Sequence, residues 1–177
     1  MPASVPPSPP PCLSIAVLTF NSEKFVGPCL DSLAAVDYPD LEIIVVDNAS
    51  SDDTVERIRE NGRYDVFLAN ATNRGCAGGY NDGWRAASGE IVLLLNPDTT
   101  VDPGVARALA KAFEDHPDAA VCGCKILYPD SKTIWHAGGV IHPNGMATHR
   151  GYGEEDAGQY DETVEVDYVS GCAVAVR

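Results

Sequence analysis

Apolar residues recur along this chain in two alternating rhythms. Short, nearly continuous apolar runs at residues 13–20, 41–46, 64–69, 90–95 and 119–128 predict strands. Such runs suit strands covered on both faces. Between them lie helical spacings. Residues 22–35 carry Phe25, Val26, Cys29, Leu30 and Leu33 three and four apart. Residues 51–61 predict a helix capped by Ser50 or Ser51, with Asp52 and Asp53 in its first turn and Gly62 as its stop. Residues 76–88 form a small-residue helix ended by Gly89. Residues 103–115 form another, with Pro103 in its first turn and Pro117 past its end. Strand and helix in alternation imply an α/β fold, with a mostly parallel, doubly wound sheet and right-handed crossovers.

Past residue 128 the pattern changes. Residues 138–149 have hairpin character and 165–176 read as strand-like, which predicts a smaller mixed or antiparallel region. Residues 1–11 hold six prolines and no periodicity, as expected of a disordered tail. The organisation expected is therefore a tail over 1–11, an α/β domain over 12–128, and a second region over 129–177. The last residue, Arg177, directly follows the apolar run 173–176, and we read this as a truncation.

Composition narrows the function classes. A formal net charge of −14 repels nucleic-acid backbones, so no nucleic-acid partner is expected. No apolar run approaches the roughly 20 residues of a membrane span. No basic-then-apolar leader with a cleavage site is present, which gives a cytoplasmic expectation. Of the six cysteines, no pair has the C-x-x-C spacing of a zinc or redox site. Cys122 and Cys124 would share one strand face as small core residues.

In open α/β sheets, ligands bind beyond the carboxyl ends of the strands. After the first predicted strand comes Thr19-Phe20-Asn21. After the second comes Asp47-Asn48-Ala49-Ser50-Ser51-Asp52, with Asp47 expected at the strand tip facing the crevice. A carboxylate there suits a base N–H or a ribose hydroxyl; equally, the segment can simply turn the chain and cap the next helix. After the third comes a glycine-rich loop, residues 70–81, entering a helix. Free N–H groups at a helix start attract phosphate, and glycine permits close approach. It lacks the G-x-G-x-x-G spacing, which argues against a dinucleotide-binding dehydrogenase. After the fourth comes Asn96-Pro97-Asp98-Thr99, an acid on a proline-stiffened turn. Mg²⁺ or Mn²⁺ takes oxygen ligands and often needs only one or two carboxylates beside diphosphate oxygens.

Together these four loops resemble family-2 glycosyltransferases with the GT-A fold. The matching pieces are Val17-Leu18-Thr19-Phe20-Asn21, Val45-Val46-Asp47-Asn48-Ala49-Ser50-Ser51-Asp52, Asn73-Arg74-Gly75 with Gly78 and Asn81, and Leu95-Asn96-Pro97-Asp98-Thr99. The likeness covers roughly residues 13–177. The asparagine variants Asp47-Asn48 and Asn96-Pro97-Asp98 are most similar to the rhamnosyltransferase-type branch. The resemblance implies that Thr19, Phe20 and Asn21 line a base pocket. It implies that Asp47 contacts uracil or thymine with Asn48 beside it. Asn73, Arg74 and Gly75 then approach the nucleotide and diphosphate, with Asn81 nearby. Asp98 binds Mg²⁺ or Mn²⁺, and Asn96, standing where an aspartate is commoner, contacts ribose or water without adding charge.

The implied activity is inverting transfer of a sugar, rhamnose in the branch named, from a UDP- or dTDP-sugar to a glycan or lipid-linked acceptor. The implied setting is the cytoplasm at the inner membrane face, with peripheral membrane association of the full-length enzyme. Residues 129–177 would then begin the acceptor side. Ser170-Gly171-Cys172-Ala173 resembles the segment between donor and acceptor, and the catalytic base is expected beyond Arg177. Asp161, Glu162, Glu165 and Asp167 precede that segment and are poor substitutes. The rival readings are a non-catalytic sugar-nucleotide-binding module and a nucleotidyltransferase. The second lacks its basic glycine-rich loop after the first strand. His136, His142 and His149 are expected in exposed hairpin turns rather than in a metal cluster, and Trp135 as a packing residue or a wall of the acceptor cleft.

Overall fold

The computed structural model describes residues 11–177. Apart from Pro11, the proline-rich tail expected over 1–11 lies outside the described residues. The chain alternates β1 (Leu13–Thr19), α1 (Val26–Leu33), β2 (Leu41–Asp47), α2 (Thr54–Asn61), β3 (Val66–Ala69), α3 (Gly75–Ala86), β4 (Ile91–Leu95) and α4 (Val105–Asp115). Then come β5 (Val121–Gly123), β6 (Ile126–Leu127), β7 (Ile134–His136), β8 (Gly139–Ile141), β9 (Ala147–His149) and β10 (Ala173–Val176).

Six strands form the main sheet in the order β3-β2-β1-β4-β10-β5. β1 runs parallel to both β2 and β4, and β2 parallel to β3. β10 runs antiparallel between β4 and β5, so a strand from beyond residue 128 completes the sheet built by the residues before it. Two antiparallel pairs, β6-β7 and β8-β9, stand apart. The strand expected over 119–128 is broken: β5 stops at Gly123, against which Val169 packs so closely that a Cβ would meet it at 2.4 Å. The strand-like run expected over 165–176 is a strand only at β10.

Both faces of the sheet are covered. Leu13, Ile15 and Val17 of β1 join Leu30 of α1, Ile58 of α2 and Phe113 of α4 in the larger core cluster. Ala16, Ile44, Val46 and Val92 form the smaller one, under α3. The smaller cluster reflects how closely α3 approaches. A Cβ at Gly83 would sit 3.0 Å from the Ala16 methyl, and one at Gly79 only 2.3 Å from Leu18. The small-residue sequence of α3 is therefore a packing requirement.

α2 begins later than expected, with Asp53 at the N-cap position and no side-chain cap bond. Ser50 and Ser51 are committed elsewhere. Asp52 takes their place from inside the turn: its carboxylate accepts the Thr54 amide at 3.1 Å, the Thr54 hydroxyl at 2.5 Å and the Glu23 amide at 3.2 Å. Gly62 closes α2 at φ 67°, the left-handed conformation its lack of a side chain favours.

Candidate donor-binding cleft

The strand order reverses between β1 and β4, and the chain passes to opposite sides of the sheet there. A cleft of about 440 Å³ opens at that switch, beyond the carboxyl ends of both strands. One wall is the segment leaving β1: Leu18, Thr19, Phe20, Asn21, Ser22 and Phe25. The other walls are Asn48, the loop residues Asn73, Gly75 and Cys76, and the turn Asn96-Pro97-Asp98. The structure thus brings together Thr19, Phe20, Asn21, Asn48, Asn73, Gly75, Asn96 and Asp98. Four sites predicted from four separate segments share one cavity.

Three predicted residues are placed otherwise. Asp47, expected to face the crevice, is only 2% exposed. Its carboxylate accepts the Thr19 hydroxyl at 3.0 Å, the Ser50 amide at 2.9 Å and the Ser50 hydroxyl at 2.5 Å. The Ser50 hydroxyl in turn accepts the Asn21 amide at 2.9 Å. Asp47 therefore ties the ends of β1 and β2 together from below the cleft. Arg74, expected near the diphosphate, turns outward to an ion pair with Asp82. Asn81 is exposed and lines no wall, because Gly79 and Gly83 of α3 face the sheet and residue 81 lies about 200° around the helix from Gly79.

Asn48 organises the glycine loop. Its Nδ2 donates to Asn73 Oδ1 at 2.9 Å and to the Gly75 carbonyl at 3.0 Å, while its Oδ1 accepts the Arg74 amide at 2.9 Å. Asn73 Oδ1 also accepts the Gly75 amide at 2.8 Å. The loop is held by amide side chains, so its shape does not depend on a charge. On the opposite side, Asn21 sits at φ 49° and its Oδ1 accepts the Ser51 amide at 2.9 Å. Asparagine tolerates that conformation better than most residues.

The acid turn is anchored at both ends. The Asn96 amide donates to the Cys172 carbonyl at 2.9 Å, and the Thr99 hydroxyl donates to the Asn96 carbonyl at 2.6 Å. Tyr80 donates its hydroxyl to Asn96 Oδ1 at 2.8 Å. Burial pushes the Tyr80 phenol above its usual range, reinforced by the thiols of Cys76 and Cys172 and by Asp98, so it stays a proton donor. Burial, with Asp98 adding to it, pushes the Cys29 thiol up to about 12. Asp98 itself is exposed and has no ion-pair partner among the described residues.

No lysine, arginine or histidine lines the cleft among the described residues. Its one charged wall residue is an acid. A hard divalent cation fits this donor set: a free carboxylate on a braced turn can contribute one ligand, and a diphosphate can contribute others. The histidines supply no alternative, since no group of three or more His, Cys, Asp or Glu side chains is placed to hold a metal among the described residues. His142 lies exposed at the β8-β9 turn as expected, but His136 is fully buried, contrary to expectation.

Cleft residues absent from the predicted set are Leu18, Ser22, Phe25, Cys76 and Pro97. Phe25, at helical spacing with Val26, Cys29, Leu30 and Leu33, precedes α1 and is 52% exposed. Cys76 is exposed, and all six cysteines are free thiols. No helix among the described residues is long and apolar enough to cross a membrane.

The model of glycosyl transferase family 2 matches residues 14–177. Poly-beta-1,6-N-acetyl-D-glucosamine synthase of Staphylococcus epidermidis is 33% identical over 107 residues, which are 59% of this chain and 26% of that protein. The structure of S. aureus TarS 1–349 in complex with UDP-GlcNAc aligns with a TM-score of 0.58 at 29% identity, covering 65% of this chain and 34% of that one. Mannosyltransferase PcManGT from Pyrobaculum calidifontis, solved with GDP-Man and Mn²⁺, aligns with a TM-score of 0.60 at 27% identity, covering 68% and 36%. This chain spans between about a quarter and little more than a third of each relative's length. The mostly parallel sheet with small antiparallel sheets beside it is the GT-A-like fold of these structural neighbours. With the family model matching nearly the whole described chain and the predicted loops meeting in one cleft, the chain belongs to glycosyl transferase family 2.

Proposed function

We propose that this chain is the donor-binding part of an inverting, metal-assisted glycosyltransferase. It takes a UDP- or dTDP-sugar, rhamnose being the sugar we favour, and serves transfer to a glycan or lipid-linked acceptor in polysaccharide or cell-wall synthesis. The observation that carries this reading is the cleft itself: polar and aromatic walls from the segment leaving β1, a glycine loop with free backbone approach, and, among the described residues, a lone unpaired acid with no basic side chain.

The base would lie between Phe20, Phe25 and Asn21, on a floor that Asp47 fixes through Thr19 and Ser50. The diphosphate would lie toward Gly75 and Asp98. Two phosphate charges beside an acid repel, so a divalent cation on Asp98 is needed for binding. When bound, Mg²⁺ or Mn²⁺ would neutralise charge on the leaving diphosphate. Asn96, held by Tyr80, would orient ribose or water. The ligands of the relatives, UDP-GlcNAc in TarS and GDP-Man with Mn²⁺ in PcManGT, support a nucleotide-sugar donor and a divalent cation.

Inverting transfer also needs a carboxylate to take the acceptor's proton. Asp98 is the one carboxylate lining the cleft among the described residues, and a cation on it prevents that role. Asp161 pairs with Lys125, and Asp167 accepts the Ile141 amide. Like Glu162 and Glu165, neither lines the cleft, so none of the four stands where a base for this transfer is required. We place that enzyme in the cytoplasm, at the inner face of the membrane. Calorimetric titration of UDP, dTDP, GDP and ADP in Mn²⁺ tests the proposal. Uridine and thymidine diphosphates should bind and the purine forms bind more weakly. Absence of all binding at about millimolar ligand sinks the reading.

A further inference from the structure

His136 ends β7 and is fully buried. Its Nε2 accepts the Ser170 amide at 3.1 Å. A ring nitrogen that accepts an N–H carries no proton, so the imidazole is neutral with its hydrogen on Nδ1. That Nδ1 is buried without a partner. A buried donor left unsatisfied is unusual and calls for a reason. An apolar side chain would fill the same space without it. The reason lies with the other nitrogen.

From Ser170 a series of bonds leads to the cleft. The Ser170 hydroxyl accepts the Cys172 amide at 3.2 Å, and the Cys172 carbonyl accepts the Asn96 amide at 2.9 Å. Asn96 opens the turn that carries Asp98. The preceding residues are fixed as well. Val169 is pressed against Gly123, and the Tyr168 ring against Gly139, where an added Cβ would meet it at 2.0 Å. The segment is thus wedged in place at Tyr168 and Val169, and the 170–172 turn links it to β10.

We propose that His136 is a positioning residue: its neutral imidazole holds the 170–172 turn and through it sets the placement of Asn96 and Asp98. Resting on the donor reading above, this placement matters because it presents the cation-binding acid to the diphosphate. The titratable groups packed against the ring are His149 from β9, 4.7 Å away between centroids, and Tyr168 from the segment before β10, at 5.8 Å; Trp135 flanks it at 5.9 Å. Burial, helped by His149, holds the ring's pKa below its usual value. Protonation would set an N–H against the Ser170 N–H and release the turn. The linkage sign follows: the ring's contribution to stability is complete above the unfolded histidine value of about 6.5, and the bond itself is lost only as pH falls through the lower folded value.

The test is hydrogen exchange at the Asn96 and Cys172 amides in the whole chain, combined with titration of UDP and Mn²⁺, at about pH 7.5 and at the lowest pH at which the chain stays folded. His136→Gln keeps an acceptor near the Nε2 position and does not titrate. His136→Ala has neither property. The Ala variant should lose protection at both amides and bind UDP about tenfold more weakly at either pH, the loss expected for one such bond. The Gln variant should match wild type at the higher pH and lack its acid-side loss. Wild-type protection in the Ala variant, or an unchanged acid-side loss in the Gln variant, overturns the proposal. If the Ala variant does not fold, the comparison of Gln with wild type decides it. Failure of wild type to bind UDP overturns the donor reading instead, and exchange still decides the role of His136.

Discussion

Arg74 and Asp82 meet at 2.5 Å across the junction of the glycine loop and α3. Asp82 also accepts Asn70 Nδ2 at 3.1 Å and lies 3.6 Å from Arg85. The stem of Arg74 passes over Gly78, where a Cβ would come within 2.8 Å. The guanidinium therefore lies on the outer flank of the loop, while the backbone amide of the same residue is held by Asn48. Arg74→Ala should then alter affinity for UDP with Mn²⁺ by no more than about twofold, as for an exposed pair. Asn48→Ala should weaken it about tenfold, having removed several bonds that shape the loop. Calorimetry on the two variants decides. A large loss for Arg74→Ala with a silent Asn48→Ala would show that the guanidinium turns inward to bind.

Gly89 tests the packing where the connection from α3 to β4 crosses the start of β1. Its missing Cβ would lie 2.6 Å from the Ser14 amide nitrogen and 3.0 Å from the Cys12 carbonyl, both backbone atoms that cannot step aside. Gly89→Ala should cost roughly 1–3 kcal/mol of stability, as overpacked sites do. Gly27 has nothing within 4 Å of the same added atom, and Gly27→Ala should not be destabilising. Urea denaturation of both variants measures the contrast. Equal stabilities would place the strain elsewhere.

Asp52 sets an acid limit on the start of α2. Burial acts to raise its pKa, but hydrogen bonds from the Thr54 hydroxyl, the Thr54 amide and the Glu23 amide overcome that and hold it below the usual carboxylate value. A depressed carboxylate contributes stability above its unfolded pKa of about 3.9, and that contribution is lost as pH falls through the folded value. Wild type should therefore lose stability below about pH 4 faster than Asp52→Asn does. At neutral pH the variant should be less stable by roughly 1 kcal/mol, as for a lost cap. Parallel acid titrations followed by circular dichroism would reveal any failure of this difference.

Cys76 offers a spectroscopic view of the cleft. It is exposed on the cleft wall, whereas Cys29 and Cys124 have thiols pushed up to about 12 by burial. Thiolates, not thiols, react. A thiol reagent near neutral pH should therefore modify Cys76 well before Cys29 or Cys124, and UDP with Mn²⁺ should slow it. Cys76→Ser should abolish that protected phase. A rate unaffected by the nucleotide would place the ligand away from α3.

The alternation of β1 to β4 with their helices is legible in the sequence because each buried strand and amphipathic helix is a local pattern. So is the cleft, since residues just past parallel strands converge at a switch in strand order. The insertion of β10 between β4 and β5 is not legible: an apolar run of four looks the same whichever neighbours it joins. Side-chain direction is hidden for the same reason. Arg74 faces outward because Asp82 lies one face along α3, and Asp47 is buried because Thr19 and Ser50 saturate its carboxylate. Ser50 could not be both the cap of α2 and the partner of Asp47. Phe25 has the spacing of a core residue but falls one position before α1 begins. His136 has glycines close after it, as a turn residue would, yet it is enclosed by rings from segments far along the chain.

Among the described residues, Asp98 is the one charged group lining the cleft. The deciding measurement is calorimetric titration of UDP into the chain with Mn²⁺ and again with the metal chelated, for wild type and Asp98→Ala. Binding should need Mn²⁺ in wild type and fall at least about tenfold in Asp98→Ala, the scale of one metal ligand or its support. Metal-independent binding of equal strength in both proteins would contradict it.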